Sequence, residues 1–259
     1  MGVNTYLRRC FMTNIWRLML GVILSAFLVS GCWISTEKNF ELLTAEFTTK
    51  DNEEAELMAL CLSGDLIAPD ALYNQVLSDL TAIRSSFGDD IEPIKHITFT
   101  PPWRSGCLII GFDDATAQEV AYGEFHAWDD LNKGYQVTQI YTNYTDSIGF
   151  AILYFKHRLH PRPLGQLYDG LPGVVYTEPD HLAGDFPNIY PRKQGDGITY
   201  LFREAWEDCP SGCIYSQYWY FTFEEDRPVF VGEWNPGEVS EKPDWWGEAK
   251  QNIEQFHEW

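Results

Sequence analysis

Between Cys107 and Thr177 the hydrophobic period of this chain changes repeatedly, and that alternation restricts its fold more than any other feature. Cys107-Leu108-Ile109-Ile110-Gly111-Phe112 is an apolar run of strand length. Asp113-Asp114 then turns into a helix, with Thr116 and Glu119 as a capping pair. Ala117, Val120, Trp128, Leu131 and Tyr135 supply its buried face, and Gly134 stands near its end. Residues 136–142 and 150–155 alternate as two strands, with turn chemistry at Asp146-Ser147-Ile148-Gly149. Residues 163–170 form a short helix or turn, and Val174 to Thr177 is a fourth strand ended by Pro179.

That order is β-α-β-β-α-β, the split-βαβ or ferredoxin-like arrangement. Helical patterns precede it. Asp51 and Glu54 form a capping-box start, Leu57, Leu60 and Cys61 share a face, and Gly64 is a stop. Pro69 opens a second helix through Leu72, Val76, Leu80, Ile83 and Phe87, closed by Gly88. The two form a hairpin whose apolar stripes need a sheet to cover. After a loop over 183–197, strands are expected at 198–206, 214–223 and 229–234, rich in the aromatic and β-branched residues that suit a pleated surface. Tyr215, Trp219, Phe221 and Phe223 alternate with Ser216, Tyr218, Tyr220 and Thr222, so both faces of that sheet need covering, one by helices and one partly by loops; an aromatic row left exposed would instead be a binding surface. The expected class is α+β. A helical hairpin (51–105) covers a ferredoxin-like sheet (106–182), followed by a disulfide-stapled antiparallel β region (183–235) and a C-terminal tail or helix (236–259).

Leu171-Pro172-Gly173-Val174-Val175-Tyr176-Thr177-Glu178-Pro179-Asp180 is similar to the closing strand of subtilisin-type propeptides, the I9-like inhibitor module. The resemblance spans about residues 106–182. It implies a ferredoxin-like module whose last strand runs into a protease active site. Two departures limit what carries over: no Asp, His and Ser signature blocks of a subtilase are present, and about 77 residues follow the strand. The block from Trp206 to Cys213 resembles one in uncharacterised bacterial lipoproteins, which brings no activity with it.

The N-terminus reads as a targeting segment. Arg8, Arg9 and Arg17 precede an apolar run from Leu18 to Val29, shorter than the roughly 20 residues of a membrane span. Val29-Ser30-Gly31-Cys32 resembles the lipobox of bacterial lipoproteins. The resemblance implies cleavage of residues 1–31 and lipidation of Cys32, with residues 32–50 as a flexible tether. Met12 is an alternative start, and Arg8-Arg9-Cys10-Phe11-Met12 loosely resembles a twin-arginine export motif. In the lipoprotein family an Asp after the cysteine retains the protein at the inner membrane; Trp33 stands there instead, which implies the outer membrane, facing the periplasm.

Without residues 1–31 the chain carries 15 basic and 38 acidic residues, a net −23. So acidic a surface repels phosphate backbones and excludes nucleic acid as a partner. The lipid, not the protein surface, then holds the chain to a membrane, and an envelope protein is the expected partner. Four cysteines remain beyond Cys32, and export favours disulfides. Cys209-Pro210-Ser211-Gly212-Cys213 reads as a loop closed across turn residues, which pairs Cys61 with Cys107 by remainder. Zinc binding and a redox dithiol are the rival readings of the C-x₃-C spacing.

Three groups of side chains are candidate sites. Glu178, Asp180, His181 and Asp185 could hold a hard cation or do acid–base work. His157 and His160 stand three apart beside Arg158 and Arg162, which disfavour a metal and make exposed loop histidines the plainer reading. Glu204, Glu207 and Asp208 surround Trp206, as paired acids do beside an aromatic platform in glycosidases. No phosphate loop, dinucleotide fingerprint, H-E-x-x-H or G-x-S-x-G motif occurs, and no cofactor is expected. The leading expectation is therefore a non-catalytic binding or structural role at the bacterial cell envelope. A protease-inhibitor module and an acid-pair hydrolase of envelope glycans are the alternatives.

Overall fold

The computed structural model describes residues 47, 49–145 and 148–259. The leader, Cys32, most of the tether and the turn residues Asp146 and Ser147 lie outside them. Among the described residues no helix is long and apolar enough to cross a membrane. The elements are mixed helix and strand, and the strands form two antiparallel four-stranded sheets.

The first sheet holds β1 (Cys107–Phe112), β2 (Val137–Thr145), β3 (Ile148–Phe155) and β4 (Val174–Glu178), in the order β2-β3-β1-β4. Helices α3 (Asp114–Tyr122) and α4 (Asp129–Gly134) connect β1 to β2, and α5 (Pro161–Tyr168) connects β3 to β4. Alternation puts Leu108, Ile110, Phe112, Ala151, Leu153 and Phe155 in the core beneath these helices. The single helix expected over 116–135 is two, because Gly123 adopts φ 73° and ends α3 with its N–H on the Glu119 and Val120 carbonyls. The N-cap is Asp113, not Thr116; its carboxylate accepts from the Thr116 N–H.

The second sheet holds β5 (Asn188–Gln194), β6 (Gly197–Trp206), β7 (Tyr215–Glu224) and β8 (Arg227–Trp234), in sequence order. Strand β5 was expected to be loop. Pro191 weakens any strand pattern, but β5 is an edge strand, where a missing N–H leaves no gap in a ladder. Left-handed Glu225 and Asp226 (φ 48° and 61°) make the tight turn from β7 to β8.

Both faces of this sheet are covered by helices. Over one face lie α1 (Glu53–Ser63) and α2 (Asp70–Phe87), against Tyr200, Phe202, Trp219 and Phe221. Phe87 meets Phe221 at 5.5 Å between ring centroids. The C-terminal segment is a helix, α6 (Trp246–Glu258), and it covers the opposite face, with Phe256 edge-on to Tyr190 at 5.0 Å. The helical hairpin thus covers the second sheet, not the first as expected, and segments 51–105, 183–235 and 236–259 share one core. The reason is bulk. Three helices already fill the apolar side of the first sheet, whereas the second sheet buries aromatic side chains on both sides.

Polar clamps fix this arrangement. Glu54 receives Arg84 through two bonds of 2.7 and 2.8 Å, and the same guanidinium donates to the Ile94 and Ile97 carbonyls. Buried Asn252 donates to the backbone carbonyls of Tyr190 and Thr199, fastening α6 to β5 and β6. Arg158, just beyond β3, reaches Glu56 at 2.6 Å and Glu53 at 3.1 Å on α1, tying the first sheet to the hairpin. The N-cap of α1 is Asn52, one residue beyond the expected Asp51.

The expected Cys61–Cys107 bridge does not form; both are buried free thiols. Cys61 is packed in the hairpin core, and burial pushes its thiol well up. Cys107 begins β1 beside Asp180. Differential alkylation in denaturant without reductant therefore labels Cys61 and Cys107, while Cys209 and Cys213 label only after reduction, read by peptide mass mapping.

Asp79 of α2 accepts from the Tyr200 hydroxyl at 2.8 Å. Burial lifts its carboxyl to about 6; the Tyr200 bond opposes this and Asp226 adds to it. A raised folded pKa favours the protonated form. The resulting stabilisation is complete below about pH 4 and is lost as pH rises through about 6. Asp79→Asn removes that loss. Urea unfolding from pH 4 to 8 should show a flatter profile and, at pH 8, a gain on the order of 1–2 kcal/mol after allowance for partial exposure.

Candidate functional site

The four residues expected to gather as a cation site go separate ways. Glu178 is exposed at the end of β4, opposite Ile109. Asp180 accepts from the Cys107 thiol at 3.7 Å and pairs with Arg104 at 3.4 Å. Burial, reinforced by the Asp180 charge, pushes the Cys107 thiol up to about 12, so it stays protonated. His181 is exposed and forms an isolated antiparallel bridge with Trp103. Among the described residues no three His, Cys, Asp or Glu side chains gather as metal ligands.

Asp185 has a different role. On β6, Arg203 is only 8% exposed, and its guanidinium needs a counter-charge there. Asp185 supplies it through both carboxylate oxygens, one at 2.7 Å, while the Arg203 Nε donates to Ser216. The Arg203 bonds and charge, with the N–H groups of Cys213 and Phe186, hold the Asp185 carboxyl below the usual carboxylate range against the opposing effect of burial. The backbone N–H of Asp185 donates to Cys209 at 2.9 Å, and its carboxylate accepts from Cys213 at 3.2 Å. Both ends of the Cys209–Cys213 disulfide loop are thus tied to one residue.

The histidines are structural. His160 is buried, not an exposed loop residue, and its Nδ1 accepts from the Arg162 N–H to cap α5. Burial, with Arg162 nearby, lowers its pKa to about 4, so the ring is a neutral cap. His157 stacks on Phe47 at 5.0 Å.

A concave site missed by sequence reasoning lies at the same end of the second sheet as the disulfide loop, whose two flanking residues are Trp206 and Tyr215 at the ends of β6 and β7. The register pairs Trp206 with Tyr215, Glu204 with Gln217, and Phe202 with Trp219, which in turn faces Glu233. Directly opposed residues share a face. This is the face covered by α1 and α2, but the cover stops short of its outer end. There Trp206 and Tyr215, 37% and 42% exposed, stack with ring centroids 5.8 Å apart. Glu233 Oε2 accepts from the indole of Trp219 at 3.1 Å and the amide of Gln217 at 3.3 Å.

Gln217 and Glu233 also line a cleft of about 680 Å³ between the end of the sheet and the loop over 235–245. Glu238, Glu241 and Asp244 bring its carboxylates to four, against the single ammonium of Lys242. Trp234, Val239, Pro243 and Trp245 are its apolar walls. The loop is tightly folded: Asn235 accepts from the N–H groups of Gly237, Glu238 and Val239, and the Trp234 indole donates to the Val239 carbonyl at 2.9 Å. No hydroxyl, thiol or imidazole lines the cleft. Of the acids expected around Trp206, Glu207 and Asp208 are exposed in the left-handed turn entering the disulfide loop, outside the cleft. Only Glu204 shares the face of the aromatic pair.

The first sheet has a second uncovered surface. Ile109, Ile152 and Tyr141 align across β1, β3 and β2 on the side away from its helices, and Tyr141 is exposed. Gly111 has no room for a side chain because the Tyr176 ring lies over it.

Comparisons of the chain with protein-family models, curated proteins and solved structures found no match.

Replacing Asp185 by Ala strands a buried guanidinium and removes the acceptor of the Cys213 N–H, leaving only the backbone bond to Cys209 on the disulfide loop. The expected loss is about 2–4 kcal/mol at pH 7, measured by chemical denaturation. Because the Asp185 pKa is depressed, its contribution is present above about pH 4 and is lost as pH falls through its folded value. The variant's deficit should therefore shrink in acid.

Proposed function

We propose that this chain is a lipid-anchored protein of the bacterial cell envelope, outer membrane facing the periplasm, that binds a ligand or envelope partner without transforming it. The observation that carries the binding role is the cleft beside β8, continuous with the exposed Trp206–Tyr215 pair. Its volume is in the range of small-ligand sites, and its walls are held by backbone and indole hydrogen bonds before any ligand arrives. The anchor rests on the lipobox-like Val29-Ser30-Gly31-Cys32.

The first sheet is read as a ferredoxin-like split-βαβ unit, supported by its order β2-β3-β1-β4 and by the placement of α3, α4 and α5 between strands. That order also favours the second reading, an inhibitor module of the propeptide type. Against it, the chain after β4 is not a free tail. Arg104 donates its N–H to the Asp180 carbonyl and Leu182 donates to Pro102, so residues 180–182 are tied to the body of the protein.

Metabolic labelling with palmitate should mark the wild-type chain and leave Cys32→Ala unmarked and released from membranes. Purified protein should show no hydrolytic turnover of envelope glycans. Reducing-end release that disappears in Glu233→Gln would replace this reading with the hydrolase.

A further inference from the structure

The cleft and the aromatic pair form one surface whose chemistry can be read further. Along β6 and β7 the Trp206–Tyr215 pair is followed by Glu204–Gln217, and then by Glu233 on β8. From its aromatic end to Glu233 the strip runs about 13 Å along the strands and about 10 Å across them. The loop that walls the cleft closes the gap between the two parts, since a Cβ placed on Gly237 would be 3.7 Å from the Tyr215 ring. We infer that this strip, with its stacked aromatic end and its carboxylate-and-amide cleft, is a binding site for neutral oligosaccharide chains. The inference deepens the binding role proposed above and rests on it.

Three observations select this ligand class. The partly exposed Trp206–Tyr215 stack offers aromatic area to the C–H faces of pyranose rings, which are apolar although the sugar as a whole is polar. Glu204, Gln217, Glu233 and Asn235 offer carboxylate and amide groups to hydroxyls, which both donate and accept. Glu233 is already fed by two neutral donors, the Trp219 indole and the Gln217 amide, with no cation among its described partners. That is the setting of an acceptor for neutral O–H groups. The four carboxylates against one ammonium repel phosphorylated or carboxylated sugars and leave uncharged ones as the fit.

The test uses the lipidated full chain in a detergent without a sugar headgroup. Linear hexasaccharides of glucose and of N-acetylglucosamine are titrated against it by calorimetry and tryptophan fluorescence. At least one neutral series should bind saturably, with little change between 50 and 500 mM salt. Trp206→Ala and Tyr215→Ala, both at exposed positions, should each weaken binding at least tenfold. Tyr122→Ala, at a residue 79% exposed on the first-sheet half, should leave it unchanged. Oligogalacturonate of the same length should bind at least tenfold more weakly.

Salt-sensitive binding of spermidine, with no neutral saccharide bound at millimolar concentration, overturns the inference in favour of an organic-cation site. If no saccharide binds but an envelope protein captured by the chain shields Trp206 from oxidation, the inference fails and the binding role stands. If neither is found, both fail.

Discussion

Burial on both faces of the second sheet is the constraint from which the rest of the structure follows. Tyr200, Phe202, Trp219 and Phe221 point to one side, and Tyr190, Leu201 and Tyr220 to the other. Each set of side chains is favourable only out of water, at roughly 25 cal/mol per Å² of apolar area. A four-stranded sheet of this kind needs two covers, and the chain provides them from widely separated segments: the hairpin at 53–87 and the helix at 246–258. The first sheet, buried on one side by its own crossover helices, sits between these segments in sequence. Its insertion lengthens the path from the hairpin to the sheet that the hairpin covers.

Directional polar contacts then select one placement of those covers. Hydrophobic burial alone would tolerate sliding of the helices. The fork of Arg84 on Glu54, the amide of Asn252 on two carbonyls and the Asp79–Tyr200 bond do not. At the far end of the sheet Asp185 does the same for the disulfide loop through Arg203. The proposed binding strip lies between the edge of the helical cover and this anchored loop. Its aromatic pair is exposed because α1 and α2 end before reaching it, and its cleft exists because the 235–245 loop is folded on Asn235 before α6 begins.

Much of the element order was legible from the residues. The period of Leu72, Val76, Leu80 and Ile83 yields a helix whose bounds, Asp70–Phe87, fall where Pro69 and Gly88 indicate. The short loop between Cys209 and Cys213 closes, as turn residues between two nearby thiols suggest. Strand β5 was not legible, because Pro191 is tolerated only at an edge and strand order is not written in a local pattern. The separation of α3 from α4 depended on one glycine whose φ the period does not report. Pairing Cys61 with Cys107 by elimination failed because counting thiols ignores where each strand and helix packs. The clustered acids Glu178, Asp180 and Asp185 misled for a related reason: Asp180 went to Arg104 and Asp185 to Arg203, partners far from one another along the chain, while Glu178 stayed exposed at the end of β4.

The sequence by itself determined most of the helices and strands, that the aromatic-rich strands after residue 197 need covering on both faces, and that the chain is strongly acidic. These follow from side-chain period, turn chemistry and charge, all of which are local or additive. Only the tertiary structure decided which helices cover which sheet, which acids are consumed by buried arginines, and that Trp206 and Tyr215 remain exposed beside a walled cleft. Those outcomes depend on register across β6, β7 and β8 and on where a cover stops. Both are relations between residues far apart in the chain, settled by packing and not by local pattern.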